Sequence, residues 1–212
     1  MEFVGFTDED FAVFEVPGLA ARMDALKRTL RPKLEQLGRD FTAFLTELLG
    51  EPMYAHVAKH ARRTVNPPED SWVAFAADRR GYKKHPHFQI GLWRTHAFAT
   101  FGLISESPQR AHFAAQLRAH AAEVVAAVPG HFVWIPDHAD PDAIPAISVD
   151  ETALLRLADR LDTRQGELLA GVTFPRAQAV AMEPAAFEDA VKEAFRALKP
   201  LYRLTQTEVF QA

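Results

Sequence analysis

The chain of 212 residues contains no cysteine. That absence excludes a disulfide framework and a disulfide-linked partner, a thiol nucleophile, iron–sulfur clusters and thiolate zinc sites. No apolar run approaches the roughly 20 residues that span a bilayer, so no membrane association is expected. The opening MEFVGFTDEDF lacks a basic segment followed by a long apolar one. It therefore reads as no signal peptide, and the expected compartment is the cytoplasm. Also missing are G-x-x-x-x-G-K-[ST], G-x-G-x-x-G and G-x-S-x-G, which lowers the phosphate-loop, dinucleotide-fold and serine-hydrolase classes. No cofactor signature is found, and no cofactor is expected.

What is present is an ordinary globular composition, 48% apolar and 25% charged, with sixteen Phe and a net charge of −4. A globule of this length buries roughly 70% of its unfolded surface. With no repeat and no long linker, residues 1–212 read as one domain. The charge is uneven. Between His56 and His96 stand eight cations (Lys59, Arg62, Arg63, Arg79, Arg80, Lys83, Lys84, Arg94) against three acids (Glu69, Asp70, Asp78), a net of +5. The remainder carries 16 cations against 25 acids, a net of −9. A basic segment in an acidic chain points to an anionic partner for that segment.

Hydrophobic periodicity sets the expected elements. Thr7 followed by Asp10 begins a short helix that Pro17-Gly18 ends. From Leu19 to Leu48 apolar residues recur every three or four positions, which predicts an N-terminal helical arm or hairpin. Pro32 predicts a kink and Gly38 a stop, with a fresh helix over 41–49. Residues 53–60 lean towards a strand, 72–76 reads as a buried central strand, and 88–93 and 97–105 are two more. A two-residue loop at Arg94-Thr95 would pair Gly91 with Phe98, Gln89 with Thr100 and His87 with Gly102. His87, Gln89 and Thr100 would then share one sheet face, with Phe88, Ile90, Leu92, Ala99, Phe101 and Leu103 on the other. Helices are expected from Ser107 to about Ala127, from 151 to 161, and from Pro184 onwards, with strands at 132–135 and 167–174. Strands that do not alternate as βαβ units predict an α+β fold, a mainly antiparallel sheet packed with helices.

Three constellations carry possible chemistry. His56 and His60 have the H-x-x-x-H spacing, but Val57 stands where a zincin needs its catalytic Glu. His85 and His87 flank Pro86, which fits a strand entrance better than a metal site. The loop PDHADPDAIP brings Asp137, Asp140 and Asp142 beside His138, which suits either a cation or an acid/base pair, although Asp is also the ordinary residue of turns. No metal site is expected from these. The basic segment is the strongest signal: Lys59, His60, Arg62, Arg63 and Asn66 on one turn and Arg80, Tyr82 and Lys83 on another could hold phosphates. His87, Gln89 and Trp93 lie on the strand that follows, and indoles can stack on a planar group.

At HVAKHARRTVNPP, WVAFA, RGYKKHPHFQIGLW and DAIP, with the opening GFTDEDF and the end FRALKPLY, the chain resembles the YktB-like family of uncharacterised bacterial proteins over nearly its whole length. The resemblance implies a compact α+β protein of cytoplasmic type and brings no catalytic residue.

The residues themselves point first to a binding module for an anionic, phosphate-bearing ligand, a small molecule such as a nucleotide or a single-stranded RNA. A second expectation is a small hydrolase or transferase using His60, His87, Asp137 and His138. A third is a partner-binding protein that exposes the apolar stripe of 19–49. Oligomeric state is left open.

Overall fold

The computed structural model describes residues 2–61 and 63–206. Seven strands form one sheet: β1 (Tyr54–Val57), β2 (Asp70–Ala76), β3 (His87–Trp93), β4 (His96–Leu103), β5 (Val133–Ile135), β6 (Ile144–Pro145) and β7 (Leu168–Pro175). Their order is β1-β2-β3-β4-β7-β5-β6, and each pairing is antiparallel. The helices are α1 (Asp8–Ala12), α2 (Leu19–Arg28), α3 (Leu30–Leu49), α4 (Arg110–Ala119), α5 (Ala121–Ala127), α6 (Glu151–Leu161), α7 (Arg176–Ala181) and α8 (Pro184–Leu204). This is the expected α+β arrangement.

One sheet face makes the core. Alternate residues Val73, Phe75, Phe88, Ile90, Ala99 and Phe101 point to it and are buried, as period two requires. Helices α3 and α8 lie across this face, and the Phe195 ring sits 4.9 Å from Phe88 and 5.8 Å from Phe41. Each such side chain taken fully out of water stabilises the fold by roughly 1.5–3 kcal/mol. The β3–β4 register is the expected one, with Gly91 opposite Phe98, Gln89 opposite Thr100 and His87 opposite Gly102. Two elements have clear local causes. Asp150 caps α6 by accepting from the Ala153 amide at 2.7 Å, and Pro184 opens α8 where its missing N–H costs nothing.

Four expectations are corrected. Helix α3 runs unbroken from Leu30 to Leu49, so neither a kink at Pro32 nor a stop at Gly38 occurs. Pro32 lies in the first turn, where its amide needs no partner. Gly38 is the point of closest approach to the sheet: a β-carbon there would meet Ala55 Cβ at 3.2 Å and Val73 Cγ2 at 3.4 Å. The break falls at Thr29 instead. The stripe of 19–49 is not an exposed partner surface, because Leu26, Leu30, Leu34, Leu37, Phe41 and Leu45 are buried in the core. The helix expected from 107 to 127 is two helices that part at His120. Strand β2 is buried but lies second from the sheet edge, not at its centre.

Strand β3 is buried at every position, so the second sheet face is covered too. His60, residues 63–69, the side chain of Tyr82 and residues 138–143 do the covering. Among the described residues no helix is long and apolar enough to cross a membrane.

Candidate ligand-binding cleft on the second sheet face

The cleft follows from the strand alternation. Asp70 and Trp72 on β2, Gln89, Gly91 and Trp93 on β3, Phe98 and Thr100 on β4 and Thr173 on β7 all point away from the helices. Gly91 lies between Trp72 and Phe98, and a β-carbon there would stand 2.5 Å from Phe98 Cζ and 2.7 Å from Trp72 Cβ. Glycine is what lets those rings close over the strand. Beneath them is a small inner chamber of about 20 Å³, room for about one water, that reaches Gln89, Thr100 and Leu169. It continues into an outer cleft of about 460 Å³, whose rim carries Arg22, Arg63 and Asn66. Asp70, Trp72, Trp93 and His138 border both spaces.

The polar groups here are not arranged for stability. Asp70 is only 7% exposed, and none of the described Lys or Arg side chains forms an ion pair with it. Burial pushes its carboxyl up to about 6, with the charges of His138 and Arg63 pulling the other way. Thr100 Oγ1 and Trp72 Nε1 are buried without a hydrogen-bond partner among the described residues. The Trp72 indole N–H stands near enough to the Tyr82 hydroxyl to favour its ionised form, but no bond of proper geometry joins them. Burial dominates at Tyr82 and drives its phenol up to about 12. Buried polar groups left unpaired cost about 1–3 kcal/mol each, so a set of them lining a cleft marks a place where something else completes the bonding.

His138 enters the cleft from the loop between β5 and β6. Its Nδ1–H donates to Glu167 Oε2 at 2.6 Å, and this bond raises the imidazole's affinity for its proton. Glu167, itself 7% exposed, is delivered by the turn before β7. That turn is clamped by Arg110, whose Nη1 donates to the carbonyls of Leu161, Thr163 and Gly166 at 3.0, 2.7 and 2.9 Å.

The sequence-derived candidates divide between this cleft and other places. Arg63, Asn66 and Trp93 border the outer cleft, and Gln89 and Trp93 border the inner chamber. Arg62 lies outside the described residues, and Lys59 is exposed and borders neither space. His60 takes a left-handed backbone, φ 49°, and packs its ring edge-on to Trp72 at 5.6 Å. Its Nε2 meets Ser71 Oγ at 3.2 Å, and burial lowers its pKa to about 4. The second basic turn goes to the other end of β2. Arg80 there is 94% exposed, and Lys83 pairs with Glu106 at 3.0 Å, so the two basic turns contribute no common set of cations. Only Tyr82 reaches back, packing on His87 at 4.9 Å and His56 at 6.0 Å.

His87 is wholly buried. Its Nδ1–H donates to the His85 carbonyl at 2.8 Å, which leaves Nε2 to accept from the Gln89 amide at 2.9 Å. With both nitrogens committed and burial holding its pKa at about 4, His87 is a neutral support that orients Gln89. His56 bonds the Asp78 carbonyl at 2.9 Å, and His85 meets the Asp78 carboxylate at 3.1 Å. The H-x-x-x-H pair and the His85/His87 pair therefore each point to separate partners. In the acidic loop, Asp140 accepts from the Asp142 amide at 2.9 Å and serves its own turn. Asp70, Glu167 and the Arg110 clamp were missed by sequence reasoning. Their one signal is an acid immediately before or at the first residue of a strand, which is indistinguishable from turn chemistry without the fold.

A protein-family model described as "Domain of unknown function (DUF1054)" matches residues 6–202. A UPF0637 protein of Bacillus velezensis is 48% identical over 202 residues, covering 95% of this chain and 96% of the relative. One from Bacillus licheniformis is 46% identical over 207 residues, with 97% and 98% covered. One from Lysinibacillus sphaericus is 43% identical over 205 residues, with 96% and 97% covered. The cleft residues all lie within the matched span, and the sequence resemblance to an uncharacterised bacterial family holds: this chain is a member of the DUF1054 family.

Proposed function

We propose that the chain is a binding protein for a small anionic ligand with a planar group, of the kind a phosphate-bearing nucleotide presents. The observation that carries this reading is the meeting of Arg63 and Asn66 with the indoles of Trp72 and Trp93 around one cleft. A flat ring fits against the indoles in the outer cleft, Asp70 accepts hydrogen bonds at its wall, Thr100 and Gln89 are reached through a water in the inner chamber, and Arg63 meets the anion at the rim. The cleft's size and the net charge of −4 favour a small molecule over a length of single-stranded RNA.

A thermal-shift screen of nucleotides and sugar phosphates tests it. A ligand at 100 times its dissociation constant stabilises the fold by roughly 2.7 kcal/mol, which for this size raises Tm by about 5–10 °C. Arg63→Ala, an exposed substitution, is expected to leave the free Tm almost unchanged and to remove the shift. If the shift persists in Arg63→Ala, the anion is held elsewhere.

Asp70 offers a second test, through pH. Its folded pKa of about 6 lies above the unfolded value near 3.9. Between these values the folded chain binds more protons, so stability falls as pH rises through that window and stays reduced at neutral pH. Asp70→Asn is therefore expected to raise stability at pH 7.5 by on the order of 2 kcal/mol, with the gain vanishing near pH 4. Urea unfolding at the two pH values measures it; a loss of stability at pH 7.5 would make the carboxylate structural.

The pairing of His138 with Glu167 beside Asp70 also suits proton transfer, with the proton-holding His138 as acid and the ionised Asp70 as base, and so a hydrolase or transferase is the second reading.

A further inference from the structure

We propose that Asp137, His138 and Glu167 form a binding site for one divalent transition-metal ion at the wall of the cleft. One carboxylate oxygen from each acid and one imidazole nitrogen lie within 4.8 Å of one another. Ligand atoms bound to such a metal at about 2.0–2.2 Å stand roughly 3–4 Å apart. Small side-chain rotations close the wider separations, and the 2.6 Å contact of His138 with Glu167 opens slightly to admit the ion.

The surroundings supply a second argument. Glu167 and the nearby Asp70 are each only 7% exposed, and Glu167's one ion-pair partner among the described residues is His138. Asp70 has none. Two carboxylates are held out of water with one imidazole paired to only one of them and the exposed Arg63 as the other nearby charge, an incompletely paired arrangement that a divalent cation offsets. The donor set selects the metal class: carboxylates alone suit Mg²⁺ or Ca²⁺, whereas an imidazole with two carboxylates suits Zn²⁺ or Mn²⁺. Asp137 is exposed and His138 borders the cleft, which gives the ion an entry path and directs its remaining coordination positions towards a ligand. This site does not depend on the ligand reading above, because the metal alone is the probe.

The test is calorimetric titration of Zn²⁺ into the chelator-treated full chain and three variants. Wild type is expected to bind one equivalent. His138→Ala should weaken binding by about 100-fold or more, and Asp137→Asn by at least about tenfold. His85→Ala, which removes the separate surface pair with Asp78, should leave it unchanged. Asp137 is exposed, so its variant decides the matter even if His138→Ala fails to fold. No binding to wild type, an undiminished affinity in Asp137→Asn, or a loss confined to His85→Ala would each overturn the proposal.

Discussion

Replacing Gly171 with alanine is expected to cost about 3 kcal/mol or more, among the largest effects of any single methyl group in this chain. Gly171 sits in mid-β7, with Thr100 of β4 on one side and Val133 of β5 on the other. A β-carbon there would lie 2.1 Å from the Ala99 carbonyl oxygen and 2.7 Å from Thr100 Cα. Both obstacles are backbone, so neither a rotamer change nor a small side-chain shift relieves the clash. The sheet must instead separate between β4 and β7, where the floor of the cleft is built. For a chain of this size the loss lowers Tm by about 6–12 °C. Gly81→Ala is the matched control, since nothing lies within 4 Å of its β-carbon position, and it should unfold within about 2 °C of wild type.

Lys33→Met should be nearly as damaging, for an electrostatic reason. Asp10 is completely buried, and Lys33 Nζ reaches its Oδ2 at 2.5 Å. The same oxygen accepts from the Thr7 amide at 2.7 Å in the capping box of α1, so the lysine ties that helix start to α3. The other carboxylate oxygen is buried without a partner among the described residues. Methionine keeps the packed stem and removes the charge, which leaves a buried carboxylate uncompensated. Breaking one side of such a pair costs about 3–5 kcal/mol. Changing Asp10 to Leu in the same chain should recover part of that, and denaturant unfolding of the two single variants and the double variant measures the coupling. Strict additivity would mean that the pair is not a pair energetically.

How far the sequence could be read depended on whether the deciding contact was local. The β3–β4 register was legible although Arg94-Thr95 lacks a turn glycine, because a one-residue slip would send Ala99 and Phe101 to the face opposite Phe88 and Ile90, and the short loop disfavours a two-residue slip. Gly38 misled, since a helix-breaking residue and a residue that admits a crossing strand look alike until Ala55 and Val73 are in place. The basic turns were legible as charge but not as position: Arg63 borders the cleft while Arg80 and Lys83 face solvent at the far end of β2. Asp70 and Glu167 could not be singled out at all. An acid beside the start of a strand is ordinary, and only the covering loops make these two buried.

The central claim is that the cleft on the second sheet face binds a small anionic, planar ligand, and the three tryptophans offer the most direct test. Trp72 and Trp93 line the cleft, whereas Trp134 is buried on the core face at 2% exposure. Their indole N–H signals in a ¹⁵N-resolved spectrum, followed while nucleoside monophosphates are titrated in, report on each separately. The account predicts saturable shifts of the Trp72 and Trp93 signals together, with Trp134 unmoved. Indole signals that all stay in place, or shifts gathered instead at the 79–84 turn around Arg80 and Lys83, would contradict it.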